Sequence, residues 1–389
     1  MALALAVAGC GAGDERRAVP PPPPPTSGLA APVSATTTEP CRPAPLEARA
    51  AAVLVLGIGG ATVPDAPLAA RVAALGVGGV VLLGVNVVDA RQVQALVEGL
   101  RERAPRRLLV AVDEEGGRVS RLRPIVGPTQ SARTLGQRPL PEIASAAADR
   151  GAVLRDLGFD LVLAPVVDAE GGPAGGAIGD RSFAATPAEA GQRAAAFAEG
   201  LGRAGVAATA KHFPGQGGLG DSHDGTVLSV APRGQVERVA AAGFQPLLDM
   251  GVPAVMMSHV TFRALGPLPA SLEPGAYRLL RTMGFRGVAV TDAVGMSAIT
   301  GQWSLPDATV LALTAGADLV LAVPADRAVA MRDSIVAAVT DGRLPEARLD
   351  EAVRRVVALG GEDPTTMVCS SSSASSTSTR PGASPAPVN

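Results

Sequence analysis

Short apolar runs alternate with longer amphipathic Ala/Leu/Arg stretches from about residue 50 to residue 358. The first four runs are AAVLVLGIGG (51–60), GGVVLLG (78–84), RLLVAVD (107–113) and LVLAPVVD (161–168). Four more follow: AATAKH (207–212), AVMMSH (254–259), GVAVTD (287–292) and ADLVLAVP (317–324). Continuous apolar strands alternating with helices predict a parallel sheet covered by helices. Eight such units in roughly 310 residues fit an α/β fold built as a single (β/α)8 TIM-type barrel. A doubly wound open sheet is the alternative, but no glycine-rich dinucleotide fingerprint follows the first run.

Five of the runs end on an ionisable residue: Asp113, Asp168, His212, His259 and Asp292. Barrel loops surround a pocket at the C-terminal mouth of the strands, so chemistry collects there. A single polar strand end is usually a helix cap. Five together, two of them histidines, point to a shared pocket.

His212, His223 and His259 are the chain's three histidines. Their spacing matches no compact metal motif, and neither HExxH nor a cysteine cluster is present, so no metal or other cofactor is expected. In DSH (221–223) the Asp221 carboxylate can accept a hydrogen bond from one imidazole nitrogen of His223. That would fix the tautomer and raise the basicity of the other nitrogen, as acid/base work near neutral pH requires. The dipeptide spacing is equally compatible with a polar surface loop. Asp292, in VTDAVGMSAI, is either a cap for the next helix or a carboxylate able to attack an acetal carbon. VDEEGGRVSRL places Asp113 before paired glycines and Arg118 and Arg121, groups suited to a hydroxyl-rich ligand or to a salt-bridged turn. GDRSF (179–183) adds Arg181 in a glycine-rich loop.

Composition narrows the classes. Aromatics are 2% of 389 residues against 47% hydrophobic, so the core must be Ala, Val and Leu. A net charge of -2 and no Lys/Arg run give no reason to expect nucleic acid as a partner. Both ends differ from the middle. Residues 1–10, MALALAVAGC, read as an export signal too short to span a bilayer. VAGC resembles the bacterial lipobox, in which the cysteine, here Cys10, is lipidated and becomes the mature N-terminus. A proline-rich tether follows at 11–47, then the barrel at 48–362 and a Ser/Thr/Pro-rich tail, expected to be disordered, at 363–389. Cys41 and Cys369 flank the barrel; pairing and two free thiols remain equally open readings.

DEEGGRVSR, LAPVVD, GDRSF, KHFPG, DSH and TDAVGMSA occur in the order seen in glycoside hydrolase family 3. The chain most resembles the bacterial β-N-acetylglucosaminidases of that family, over about residues 50–358. The resemblance implies Asp292 as nucleophile, His223 as acid/base and Asp221 as its partner. It implies that Asp113, Arg121, Arg181, Lys211 and His212 hold the sugar. The expected substrate is an N-acetylglucosamine-containing saccharide or muropeptide, met by an enzyme lipid-anchored at the outer face of the cytoplasmic membrane. Alternatives are a β-glucosidase-like or phosphate-using member, or a catalytically silent muropeptide-binding lipoprotein. The chain departs from the family pattern twice: Gln216 stands where KHFPGHG has a histidine, and the span from Lys211 to His223 is one residue short.

Overall fold

The computed structural model describes residues 41–369 apart from His223 and Pro324. The export signal with Cys10, the tether up to residue 40, His223 and the tail from residue 370 therefore lie outside the described residues.

Eight strands form one parallel sheet. In chain order they are β1 (Leu54–Gly57), β2 (Gly79–Leu82), β3 (Leu109–Val112), β4 (Leu161–Val162), β5 (Ala207–Phe213), β6 (Ala254–Met257), β7 (Val288–Thr291) and β8 (Val320–Ala322). Each of β1 to β7 pairs with its successor except β7, and β8 pairs with β1. The remaining seam is bridged at Val290 and Leu319, where the Thr291 N–H donates to Leu319 O at 3.1 Å. A sequential strand order that returns to its start is a (β/α)8 barrel; it has no point at which the order reverses, as an open doubly wound sheet requires.

The continuous apolar runs have a direct cause. Val55, Val81, Leu109, Val288, Val290 and Leu321 fill the barrel interior. Their chain neighbours Leu54, Leu56, Val80, Leu82 and Ala289 point outward into the layer of helices. Both faces of every strand are dry, so alternation has nothing to distinguish.

Helices begin where the sequence supplies caps. Asp89, Thr186 and Ser304 each accept a hydrogen bond from the N–H three residues on, opening helices Ala90–Arg103, Pro187–Arg203 and Leu305–Ala315. At the N-terminal end of the barrel, buried Asp318 accepts from Arg281, Arg348 and Arg355 and from the Ala289 N–H, tying two helices to β7.

Residues 363–369, which composition assigns to the tail, carry a 3-10 turn at Pro364–Thr366 and bury Met367 and Val368 in the core. The Ala44 N–H donates to Met367 O at 3.0 Å, and a disulfide joins Cys41 to Cys369 with 5.7 Å between Cα atoms. Among the described residues no helix is long and apolar enough to cross a membrane.

Candidate active site

The loops at the C-terminal mouth enclose a cavity of about 460 Å³. Asp113, Arg121, Arg181, Lys211, His212, Asp221 and Asp292 all line it. These are seven of the eight catalytic and sugar-binding residues expected from the sequence; the eighth, His223, is not described.

One side of the cavity is an ionic network fixed to strand ends. Lys211, on β5, donates to Asp113 Oδ1 at 2.6 Å and lies 2.6 Å from Glu115 Oε1. Arg181 grips the same Glu115 with two parallel bonds of 2.7 and 2.8 Å. Arg121 reaches Asp113 Oδ2 at 3.2 Å. Burial alone would raise both carboxyls, but Lys211, with Arg121 at Asp113 and Arg181 at Glu115, outweighs it and holds them below the usual carboxylate range. Burial would likewise lower the Lys211 ammonium and the Arg181 guanidinium, and the carboxylates hold both above their ordinary values. Asp113, Glu115, Lys211 and Arg181 are therefore charged, and the network presents donors and acceptors to a ligand's hydroxyl groups.

Sequence reading missed Glu115. The signal was available: Asp113 and Glu115 are two apart, and the Glu114–Gly116 strand that continues from β3 keeps such residues on one face.

His212 ends on Asp168. Its Nδ1 lies 2.6 Å from Asp168 Oδ2, and the same carboxylate accepts from the backbone N–H groups of His212 and Gln216 at 3.1 and 2.5 Å. With Nδ1 committed, Nε2 faces the cavity, 3.9 Å from Asp292 Oδ2. Lys211 and His212 are adjacent yet both reach the cavity, and the register of β5 with β6 shifts between Lys211 and Phe213.

Asp292 follows β7. Its Oδ1 accepts from the Ala293 N–H at 2.7 Å, and it does not cap the next helix, Ser297–Thr300, which has Met296 at its N-cap and no side-chain cap. Of the two readings left open by the sequence, capping is thus removed. Burial alone would raise the Asp292 carboxyl, but His259, His212, the Ala293 N–H and Lys211 outweigh it and hold it below the ordinary range. It is an ionised carboxylate facing an open cavity.

The expectation of one pocket shared by all five ionisable strand ends needs correction. Asp113, His212 and Asp292 line the cavity, whereas Asp168 and His259 stand behind it. His259 is fully buried, 2.7 Å from Ser271 Oγ and 3.0 Å from the Ala293 carbonyl oxygen. The two inner residues hold a strand-end loop and an imidazole in place.

The other side of the cavity is a glycine loop. Gly215, Gly217, Gly220 and Gly225 all have positive φ, between 54° and 144°, which side chains rarely tolerate. Between them Gln216 is buried; its Nε2 donates to Gly220 O at 2.8 Å and its Oε1 accepts from Ser258 Oγ at 3.3 Å. Gln216 therefore ties the start of the loop to its middle and to the end of β6. Beyond it, Asp221 and Ser222 line the cavity, and Ser222 O accepts from the Ala298 N–H at 3.3 Å. The shortened span still brings Asp221 to the cavity that holds Asp292.

The comparisons with known proteins place this geometry. The model of the glycosyl hydrolase family 3 N-terminal domain matches residues 54–359. The chain belongs to glycosyl hydrolase family 3. It is 40% identical over 281 residues to the β-hexosaminidase LpqI of Mycobacterium tuberculosis, covering 69% of this chain and 72% of that one. The solved structure of M. tuberculosis LpqI superposes with a TM-score of 0.74 at 36% identity, over 82% of this chain and 94% of the other. A family 3 β-N-acetylglucosaminidase from Paenibacillus superposes with a TM-score of 0.77 at 32% identity, over 84% of this chain and 64% of that one. This family 3 chain is a glycoside hydrolase, and its barrel coincides with the matched span.

Proposed function

We propose that this glycoside hydrolase removes terminal β-linked N-acetylglucosamine with net retention, Asp292 acting as nucleophile and His223, partnered by Asp221, as acid/base. The observation that carries the reading is the ionised Asp292 carboxylate, which opens on the same cavity as Asp221 and the Asp113–Lys211–Glu115–Arg181 network. The β-hexosaminidase and β-N-acetylglucosaminidase relatives supply the sugar.

In the first step Asp292 Oδ2 attacks the anomeric carbon through an oxocarbenium-like transition state. The bond to the leaving oxygen breaks as protonated His223 gives that oxygen its proton. His223, now neutral, takes a proton from water. The water oxygen attacks the anomeric carbon, the bond to Asp292 breaks, and two inversions give retention. Asp113, Lys211 and Arg181 grip the sugar hydroxyls, with His212 Nε2 beside the reacting carbon.

The reading extends to place and substrate. Lipidation at Cys10 anchors the protein at the outer face of the cytoplasmic membrane, where peptidoglycan fragments are its substrate. The Cys41–Cys369 disulfide supports an oxidising compartment. Release of p-nitrophenol from the aryl β-N-acetylglucosaminide tests the activity, and no turnover with saturable muropeptide binding would replace it by a silent binding protein. Labelled palmitate should enter the wild type and not Cys10→Ser; equal labelling removes the anchor.

A further inference from the structure

Directly behind Asp292 lies a buried polar chain that the proposed chemistry does not use. It begins just past β6, where Ser258 and His259 are both fully buried. His259 Nε2 lies 3.0 Å from the Ala293 carbonyl oxygen, and its Nδ1 lies 2.7 Å from Ser271 Oγ. A carbonyl only accepts, so Nε2 carries a proton and donates to it. Ser271 is fixed in turn. Its N–H donates to Ser258 O at 2.9 Å, and its carbonyl accepts from the hydroxyl of Tyr277, the chain's single tyrosine, at 2.7 Å. Burying an imidazole and a hydroxyl costs free energy that an apolar side chain of the same size would not, so the ring stands here for its bonds.

Those bonds lead to the Asp292 carboxylate. Ala293 is held at both ends: its N–H donates to Asp292 Oδ1 at 2.7 Å, and its carbonyl accepts from the His259 ring and from the Met296 N–H at 2.9 Å. The Asp292 N–H donates to Met257 O at 3.1 Å, so the end of β6 grips two successive residues of the segment. With Oδ1 committed to Ala293, the other carboxylate oxygen, Oδ2, is the one 3.9 Å from His212 Nε2. Turning the Ala293 backbone would swing its N–H off Oδ1 and release the carboxylate from that orientation. Burial alone would raise the Asp292 carboxyl, and His259 leads the groups that outweigh it. The same strand end also holds the opposite side of the cavity, where Ser258 Oγ donates to Gln216 Oε1 at 3.3 Å.

We propose that His259 is a positioning residue for the Asp292 carboxylate: it clamps Ala293, so that Oδ1 stays on the Ala293 N–H and Oδ2 stays turned to the anomeric carbon. His259 itself does not line the cavity, and it acts only through Asp292. The assignment rests on Asp292 being the nucleophile and adds the group that aims it. Attack needs the oxygen at a narrow range of distance and angle from the carbon, and a misplacement of about 1 Å can cost about 10²-fold in rate.

The test uses the full chain and p-nitrophenyl β-N-acetylglucosaminide. His259→Leu should lower kcat and kcat/KM together, by about 10²-fold, with KM held within about twofold. His259→Gln, whose amide can still donate to Ala293 O, should recover most of the loss. Equal losses in the two variants, or an unchanged kcat in His259→Leu, overturn the assignment. A merely structural role is separated in Asp292→Gly, where added azide supplies the attacking atom and the product is the glycosyl azide. Adding His259→Leu to that variant should leave azide-dependent turnover unchanged, and a loss as large as in the wild type overturns the assignment. If azide restores no turnover, the split between kcat and KM and the glutamine rescue decide. Where His259→Leu fails to fold, Ser271→Ala keeps the ring and frees one end of it; kcat should then fall about three- to tenfold, and an unchanged kcat overturns the assignment. Wild-type turnover by Asp292→Gly without azide reads differently: it removes Asp292 as nucleophile, and the positioning role with it.

Discussion

The two sides of the cavity are built by different means. On one side Asp113, Glu115, Lys211 and Arg181 sit on or just beyond β3 and β5 and on a short turn, and every charge meets an opposite charge within 2.8 Å. On the other side Asp221 rides on a loop with positive φ at four glycines, tied at the buried Gln216 and again where Ser222 O accepts from the Ala298 N–H. The first side is rigid because removing any member strands a buried charge. The second is held by hydrogen bonds of backbone and amide groups, among them the Gln216 N–H on the Asp168 carboxylate, with no ion pair to Gln216. Under the proposed mechanism, binding falls to the first half and proton transfer to the second. The difference also predicts that mutations on the two sides separate stability from turnover.

The widest separation should come from His223→Ala. Turnover of substrates with poor leaving groups should fall about 10²- to 10⁴-fold, activated aryl glycosides should lose less, and the melting temperature should hold. Equal losses on both substrate types would make His223 a binding residue. Lys211→Met should do the reverse of sparing the fold. Loss of the ammonium that Asp113 and Glu115 share, leaving them only Arg121 and Arg181, should cost about 3–5 kcal/mol in urea unfolding, with sugar binding lost as well. A stable Lys211→Met protein would show that the network is not what braces this side.

The sides should also part with pH. Asp113 and Glu115 are depressed in the folded state, so their contribution to stability is complete above the ordinary carboxylate range and is lost as pH falls through their folded values. Thermal stability should therefore drop as pH goes below about 4, and Glu115→Gln should flatten that limb at the expense of stability at neutral pH. An unchanged acid limb in Glu115→Gln would refute the assignment. The smallest effect belongs to Gln216→Ala, which should lower kcat about three- to tenfold with little change in melting temperature. Gln216→His, the family's residue, should recover part of it if the tie rather than the side-chain type matters.

The same contrast governs what could be read from sequence. Strands β1 to β8 were legible because a barrel buries both faces of each strand, and the polar residue ending a run marks the mouth. Asp113, His212 and Asp292 were found in that way, whereas Lys211 came only from the resemblance to the family. Glu115 was not singled out: its spacing from Asp113 is visible in the sequence, but its pairing with Arg181, 66 residues away, is not. Asp168 and His259 look like cavity residues from their strand-end positions, yet each faces backbone that folds over it, a distinction carried by tertiary geometry alone. Gln216 reads as a departure from the family pattern, and only its bonds to Gly220 and Ser258 reveal a tie. The Cys41–Cys369 pair was undecided because nothing local specifies that residues 328 apart meet.

The central claim is that Asp292, held ionised at the end of β7, forms the covalent bond to the sugar. Incubation with a 5-fluoro-N-acetylglucosaminyl fluoride should trap that intermediate. Peptide mass spectrometry should then find the added sugar on the peptide carrying Asp292, and none on Asp292→Ala. A label on another carboxylate, or turnover with no covalent adduct and an inverted first product, would contradict the account.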